Sequence, residues 1–275
     1  MSRRLSNIIM RIAFEPPFRR LAKEVLKVLR VRLTLRALWD ISERPQYLLG
    51  LMKAADQAKT QGITSLSAIE FGVAAGYGLL ILQREARAVT LETGIDIKVF
   101  GFDTGSGLPS LIGDYRDHPD VWRSGDYPMN VKELRAKLDE RSVLVLGDIK
   151  ETVPRFFSKY APPPVGFIAV DLDLYSSTIE ALNIFVAQGK NMLWHVPMYF
   201  DDVDMFYTHR RGGELLAIRE FNESSKGIFI DPWRGIKNIR PFPEAPYLER
   251  FFVAHDLNAI SRLKLDRGEN ELPMA

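Results

Sequence analysis

The chain has 275 residues, 46% of them apolar and 26% charged, a composition that excludes a disordered or fibrous protein and allows a full hydrophobic core. It has no cysteine, so disulfides, zinc–thiolate sites and thiol catalysis are excluded. With four histidines, any bound metal is expected to be a hard ion on carboxylates. The net charge of +2 hides an asymmetry: residues 1–36 carry a local +8, which leaves −6 for the rest of the chain. An acidic body argues against a nucleic-acid partner.

Residues 1–17 read as an irregular lead-in ending at Pro16-Pro17. From Phe18 to Trp39, Leu21, Val25, Val28, Leu29, Leu35 and Leu38 keep mostly helical spacing with Lys and Arg between them. One reading packs this helix on the body with its basic face in solvent. Others lay residues 1–36 on an anionic membrane surface, or use the helix as a homo-oligomer contact. The apolar stretches are too broken by charge for a signal peptide, and no run approaches the roughly 18 residues of a membrane span. The expectation is a cytoplasmic protein, free or peripheral to a membrane. It has a basic extension over residues 1–44 and one domain over 45–275.

From residue 45 short apolar strands alternate with helical segments. Ser65–Val73 and Lys98–Asp103 read as strands, with Tyr77–Thr90 a helix between them. Asn130 caps a helix through Leu138, and Glu133 completes a capping box. Ser142–Asp148, Gly166–Asp171 and a segment near Asn191–Tyr199 continue the strands. Ser177–Ala187 and Gly213–Glu223 are helical, and Gly227–Asp231 and Glu249–His255 are late strands. This alternation predicts an α/β fold, an open and mostly parallel sheet covered on both faces.

In such sheets ligands bind at the carboxyl ends of the strands. The first strand ends in Glu70-Phe71-Gly72-Val73-Ala74-Ala75-Gly76-Tyr77-Gly78. Gly72 suits a tight turn, and Gly76 and Gly78 suit either close approach to a ligand or a purely structural strand-to-helix turn. Asp103, ending the second strand, can accept from both hydroxyls of a ribose or can cap its own turn. Asp148 can reach an adenine amine or cap a helix. Asp171, Asp201 and Asp202 end strands four and five. Converging without a nearby Arg or Lys, they would repel one another, raise each other's pKa, or hold a hard cation such as Mg²⁺; apart, they are solvated turn acids. Proline is unfavourable inside a central strand, so Pro197 predicts that strand five stops early and a short excursion carries Asp201 and Asp202. His209 is a candidate second base or a surface-loop residue, and His195 reads as a core or edge residue. Residues 104–130, with Tyr115, Trp122 and Tyr127 among acids, read as a lid over the acceptor.

The ordered set AIEFGVAAGYG, VFGFDTGSGLP, VLGDIKETVP, VDLDLYSSTIEAL and YFDDV, spanning roughly residues 46–255, resembles class I S-adenosylmethionine-dependent methyltransferases. More narrowly, it is similar to the macrocin O-methyltransferase family, which methylates sugar hydroxyls with Mg²⁺. The resemblance implies a Rossmann-like seven-stranded sheet and S-adenosyl-L-methionine and Mg²⁺ as cofactors. By the same resemblance Asp171 is a metal ligand or base, and Asp201 and Asp202 are the remaining ligands. Glu70, Gly72, Gly76, Gly78, Asp103 and Asp148 are the expected cofactor contacts, and Asp171 and His209 the expected catalytic pair. The implied acceptor is a small hydroxylated, glycosyl-type molecule. The alternatives are a catechol-type phenol O-methyltransferase and a non-catalytic protein of the same fold that binds membrane surfaces.

Overall fold

The computed structural model describes residues 18–29, 31–205 and 209–263, so the lead-in over residues 1–17 lies outside the described residues. Helix α1 (Phe18–Val28) and helix α2 (Leu33–Leu38) stand where one helix was expected. Leu33 and Ala37 of α2 join the hydrophobic core of the body, whereas α1 buries no residue. The reading that packs its apolar side on the body with the basic face in solvent does not hold: Arg19 and Lys23 meet the body, and Phe18, Leu21, Val25 and Val28 face outward.

The chain continues with α3 (Pro45–Thr60), where Pro45 sets the first turn, then β1 (Ser65–Phe71), α4 (Tyr77–Thr93) and β2 (Asp96–Asp103). Next come α5 (Val131–Lys137), β3 (Ser142–Leu146), α6 (Ile149–Tyr160) and β4 (Val165–Val170). The chain then forms α7 (Tyr175–Leu182), β5 (His195–Phe200), α8 (Gly213–Ser224), β6 (Ile228–Pro232), β7 (Phe251–Asp256) and α9 (Leu257–Ile260). At α5 the Asn130 side chain accepts the Glu133 N–H at 3.2 Å and donates to the Glu133 carboxylate at 3.2 Å, so the cap is real. Among the described residues no helix is long and apolar enough to cross a membrane.

The seven strands form one sheet in the order β3-β2-β1-β4-β5-β7-β6, all parallel except β7, which runs against β5 and β6. Every residue of β4 is buried, as a central strand covered on both faces requires. Alternation along β2 shows the two layers. Phe100 and Phe102 pack on Phe156 of α6, while Gly101 faces Leu79 of α4 on the other side.

Register brings the carboxyl ends level: Phe71 lies beside Phe102 and Val170, Asp103 beside Leu146, and Phe200 beside Val170. Pro197 does not end β5. It sits within the strand opposite Val253, one residue before the β4 ladder begins at Met198, so its missing N–H breaks no bond to β4. The strand therefore runs straight to Phe200, and the Asp201 N–H is tied to the Val170 carbonyl at 3.0 Å. The expected excursion is absent.

Gly72, just past β1, adopts φ +83°, and a Cβ there would lie 1.7 Å from the Asp171 carbonyl oxygen. The glycine is demanded by contact with the neighbouring strand end. Gly72→Ala is expected to cost roughly 3 kcal/mol from strain plus overpacking, measurable by urea denaturation; a loss under about 1 kcal/mol would contradict this packing.

Candidate active site

Asp103 organises the loops above β1 and β2. Its Oδ2 accepts the N–H groups of Val73 and Ala74, both at 2.9 Å, and its Oδ1 accepts that of Gly105 at 2.6 Å. A carboxylate offers about four acceptor positions, so roughly one remains for a ligand. Both readings of Asp103 therefore hold together: it fastens the turn and also lines the cleft. Asp148 behaves alike, capping α6 through the Lys150 N–H at 2.9 Å while facing the same space.

That space is a cavity of about 380 Å³ beneath the strand ends, within the range of small-molecule sites. Gly72, Asp103 and Asp148 line it, but Glu70, Gly76 and Gly78 do not. Gly76 packs on Leu134, and a Cβ on Gly78 would lie 2.0 Å from Glu70 Oε1, so these three shape the turn from behind. Glu70 is buried, accepts the Tyr47 hydroxyl at 2.6 Å and leaves Oε2 without a partner. Burial pushes its carboxyl up to about 8, so it is largely protonated at neutral pH.

On the β4–β5 side of the cavity, Asp171, Asp173 and Asp202 each offer an oxygen within 4.8 Å of the others. The trio differs by one member from the expected set. Asp201 stands beside it, accepting the Tyr199 hydroxyl at 2.9 Å and pairing with Arg250 at 2.9 Å. Arginines are therefore close: Arg44 Nη1 lies 3.9 Å from Asp171 and donates to Tyr47 Oη at 2.7 Å. Removal from water, and then the charges of Asp201 and Asp202, raise Asp171 to about 7. Desolvation, and then the charge of a neighbouring carboxylate (Asp171 for Asp173, Asp173 for Asp202), likewise raises Asp173 and Asp202. Asp202 Oδ2 is buried without a partner.

A fourth acid escaped sequence reasoning. Glu214, in the first turn of α8, is fully buried, and its Oε2 accepts the Asp202 N–H at 2.9 Å. Burial raises its carboxyl well above the usual range, and its other oxygen is unpartnered. Nothing in the periodicity of residues 213–223 marks it.

The segment over residues 104–130 is fastened down. Asp117, fully buried, accepts the Ile112 N–H at 2.9 Å and both the N–H and hydroxyl of Ser176 at 2.8 and 2.9 Å. From this segment Trp122 and Tyr127 line the cavity, with ring centroids 6.3 Å apart. Tyr115 is exposed and lies 6.4 Å from the His209 ring. His209 is exposed, 4.9 Å from the His118 ring, beside a smaller hollow that Asp173 and Asp202 also border; it does not line the cavity at the strand ends. His195 pairs with His255 through their Nδ1 atoms at 2.8 Å, at the far end of β5 from the carboxylates.

No family model matches the chain, and no curated protein sequence matches it. Solved structures do. The calicheamicin methyltransferase CalS11 is 20% identical and matches over 88% of this chain and 93% of its own, with a TM-score of 0.53. The O-methyltransferase NovP, at 15% identity, covers 77% of this chain and 79% of its own with a TM-score of 0.49. An apo form of CalS11, described as a TDP-rhamnose 3'-O-methyltransferase, is 21% identical over 76% of this chain and 78% of its own, with a TM-score of 0.45. The fold is that of class I S-adenosylmethionine-dependent methyltransferases, with the one antiparallel strand making the sheet mixed.

Proposed function

We propose that the protein is an S-adenosylmethionine- and Mg²⁺-dependent O-methyltransferase acting on a hydroxyl of a sugar or a glycosylated small molecule. The observation that carries this reading is the trio Asp171, Asp173 and Asp202 on the wall of the cavity, with a buried, unpartnered carboxylate oxygen on Asp202. An all-oxygen donor set with suppressed ionisation suits a hard divalent cation, which lowers the pKa of an acceptor hydroxyl when bound. The β2–β3 side of the cavity fits a nucleoside: Asp103 and Asp148 supply acceptors, and Phe102, Leu108 and Ile149 supply apolar surface.

The chain's own residues have three tasks. Asp103 and Asp148 orient the cofactor, with Asp103 also holding the loop over it. Trp122 and Tyr127 exclude water and give the acceptor a face to pack on. Asp171, on the cavity wall at the end of β4, takes the hydroxyl proton as the oxygen attacks the sulfonium methyl. The carbon–sulfur bond breaks as the carbon–oxygen bond forms, and the sulfur leaves as a neutral thioether. Holding oxygen, carbon and sulfur in line supplies much of the acceleration.

Transfer of labelled methyl from S-adenosylmethionine to a panel of nucleotide sugars, glycosides and catechols tests the reading. Mg²⁺-stimulated transfer to a glycosyl hydroxyl is the expected result. Exclusive transfer to catechols would replace the acceptor class, and no transfer to any acceptor under Mg²⁺ would overturn the activity.

A further inference from the structure

Helix α1 is amphipathic, and it is mounted the wrong way round for a free-standing soluble protein. Phe18, Leu21, Val25, Val28 and Leu29, at the 3–4 spacing of one helical stripe, are 51, 64, 51, 86 and 56% exposed. The opposite flank carries the attachment. Arg19 pairs with Glu244 at 2.5 Å and donates to the Pro241 carbonyl at 3.2 Å, and Lys23 Nζ lies 4.9 Å over the Phe242 ring. The body thus grips charged groups and leaves the apolar stripe outside. Arg20, Lys27 and Arg32 are exposed on the same segment, where Glu24 is the sole acid between residues 18 and 36.

We infer that α1 seats the protein on an anionic bilayer surface, with the stripe Phe18–Leu21–Val25–Val28–Leu29 in the acyl boundary and Arg20, Lys27 and Arg32 at the lipid headgroups. An outward apolar stripe flanked by cations is the signature of an interfacial helix, and the local +8 over residues 1–36 is complementary to anionic lipid. The acidic remainder of the chain is repelled by the same surface, which leaves this segment as the contact. The position of α1 adds a functional consequence. It is held by the segment between β6 and β7, which also carries Arg250, the partner of Asp201. Since Pro232 ends β6 beside Phe252 and Phe251 begins β7 beside Tyr199, that segment sits at the same end of the sheet as the carboxylates. The seated protein therefore holds its cavity end near the lipid surface, where amphiphilic hydroxylated acceptors concentrate.

The test is sedimentation of the full chain with vesicles of equal phosphatidylglycerol and phosphatidylcholine, against phosphatidylcholine alone. Wild type is expected to partition onto the anionic vesicles, and Leu21→Asp/Val25→Asp to lower partitioning at least tenfold. Arg20→Glu/Lys27→Glu is expected to lower it by about 25-fold or more, at roughly fivefold for each of the two cations lost from the surface, and high salt should mimic that loss. All four side chains are exposed, so thermal unfolding is expected to be unchanged; the charge-reversal pair keeps the test valid should the apolar variant fold poorly. In Phe18→Trp, tryptophan emission should gain a blue-shifted component on anionic vesicles. Equal partitioning of wild type and both variants, equal binding to neutral vesicles, or no vesicle binding would each overturn the inference. A wild-type dimer that Leu21→Asp/Val25→Asp converts to monomer, without vesicle binding, would assign the stripe to a second copy instead.

Discussion

Asp171→Asn is expected to lower methyl transfer by roughly three orders of magnitude, the scale of a lost general base and a lost metal ligand together, while cofactor binding and the fold remain. The substitution keeps the shape of the side chain but can neither take a proton nor offer an anionic ligand. Asp103→Ala separates the two halves of the site: it removes the acceptor on the cofactor side and frees the Val73, Ala74 and Gly105 N–H groups together. A variant at Asp171 that turns over within tenfold of wild type would remove this residue from the chemistry.

The same carboxylates give a pH signature. Asp171 is raised from 3.8 to about 7 in the folded protein, so between about pH 4 and 7 the unfolded chain has released a proton that the folded one keeps. Stability of the metal-free protein should therefore fall as pH rises through that window and stay low above it, with Asp173 and Asp202 acting in the same direction. On the proposed reading Mg²⁺ displaces those protons, so its affinity and its effect on melting temperature are expected to be larger at pH 8 than at pH 6. Mg²⁺ that leaves the melting temperature unchanged at both values would count against the trio as a cation site.

The largest stability effect is expected at Arg240, far from the chemistry. Its guanidinium is buried against Asp40, donates to the Ala37 carbonyl at 2.7 Å and to the Tyr247 hydroxyl at 3.0 Å, and Tyr247 in turn donates to Asp40 at 2.5 Å. This node fastens the end of α2 to the segment before β7. Arg240→Ala leaves the Asp40 charge buried with the Tyr247 hydroxyl but without its cation, a loss of about 3–5 kcal/mol for breaking a buried pair from one side. Adding Asp40→Asn, which tolerates the left-handed φ of +55° at that position, should restore part of it. Chemical denaturation reads both, and a single-variant loss near zero would contradict the buried-pair account.

The sheet was legible because apolar runs such as Val165–Val170 are too short for helices and alternate with helical segments, and because acids close four of those runs. What stayed hidden depended on partners distant in sequence. Asp201 reads as equivalent to Asp202 until Arg250, 49 residues on, captures it; Asp173 enters the trio through a left-handed backbone at φ +63°. Glu214 carries no signal because its significance is one bond to the Asp202 amide. Pro197 misled for a related reason: the rule against proline in strands applies to ladder positions, and the β4 ladder starts one residue later. The stripe of α1 was visible as periodicity, but which side faces the body was decided by Glu244 and Phe242.

The most direct test of the whole account is calorimetric titration of S-adenosylmethionine into the wild type and Asp103→Ala, each with and without Mg²⁺. The account predicts binding by the wild type that the substitution at Asp103 removes. Failure of the wild type to bind in either condition would contradict it, because the cavity between Asp103 and the carboxylate trio would then have lost the ligand that gives both sides their purpose.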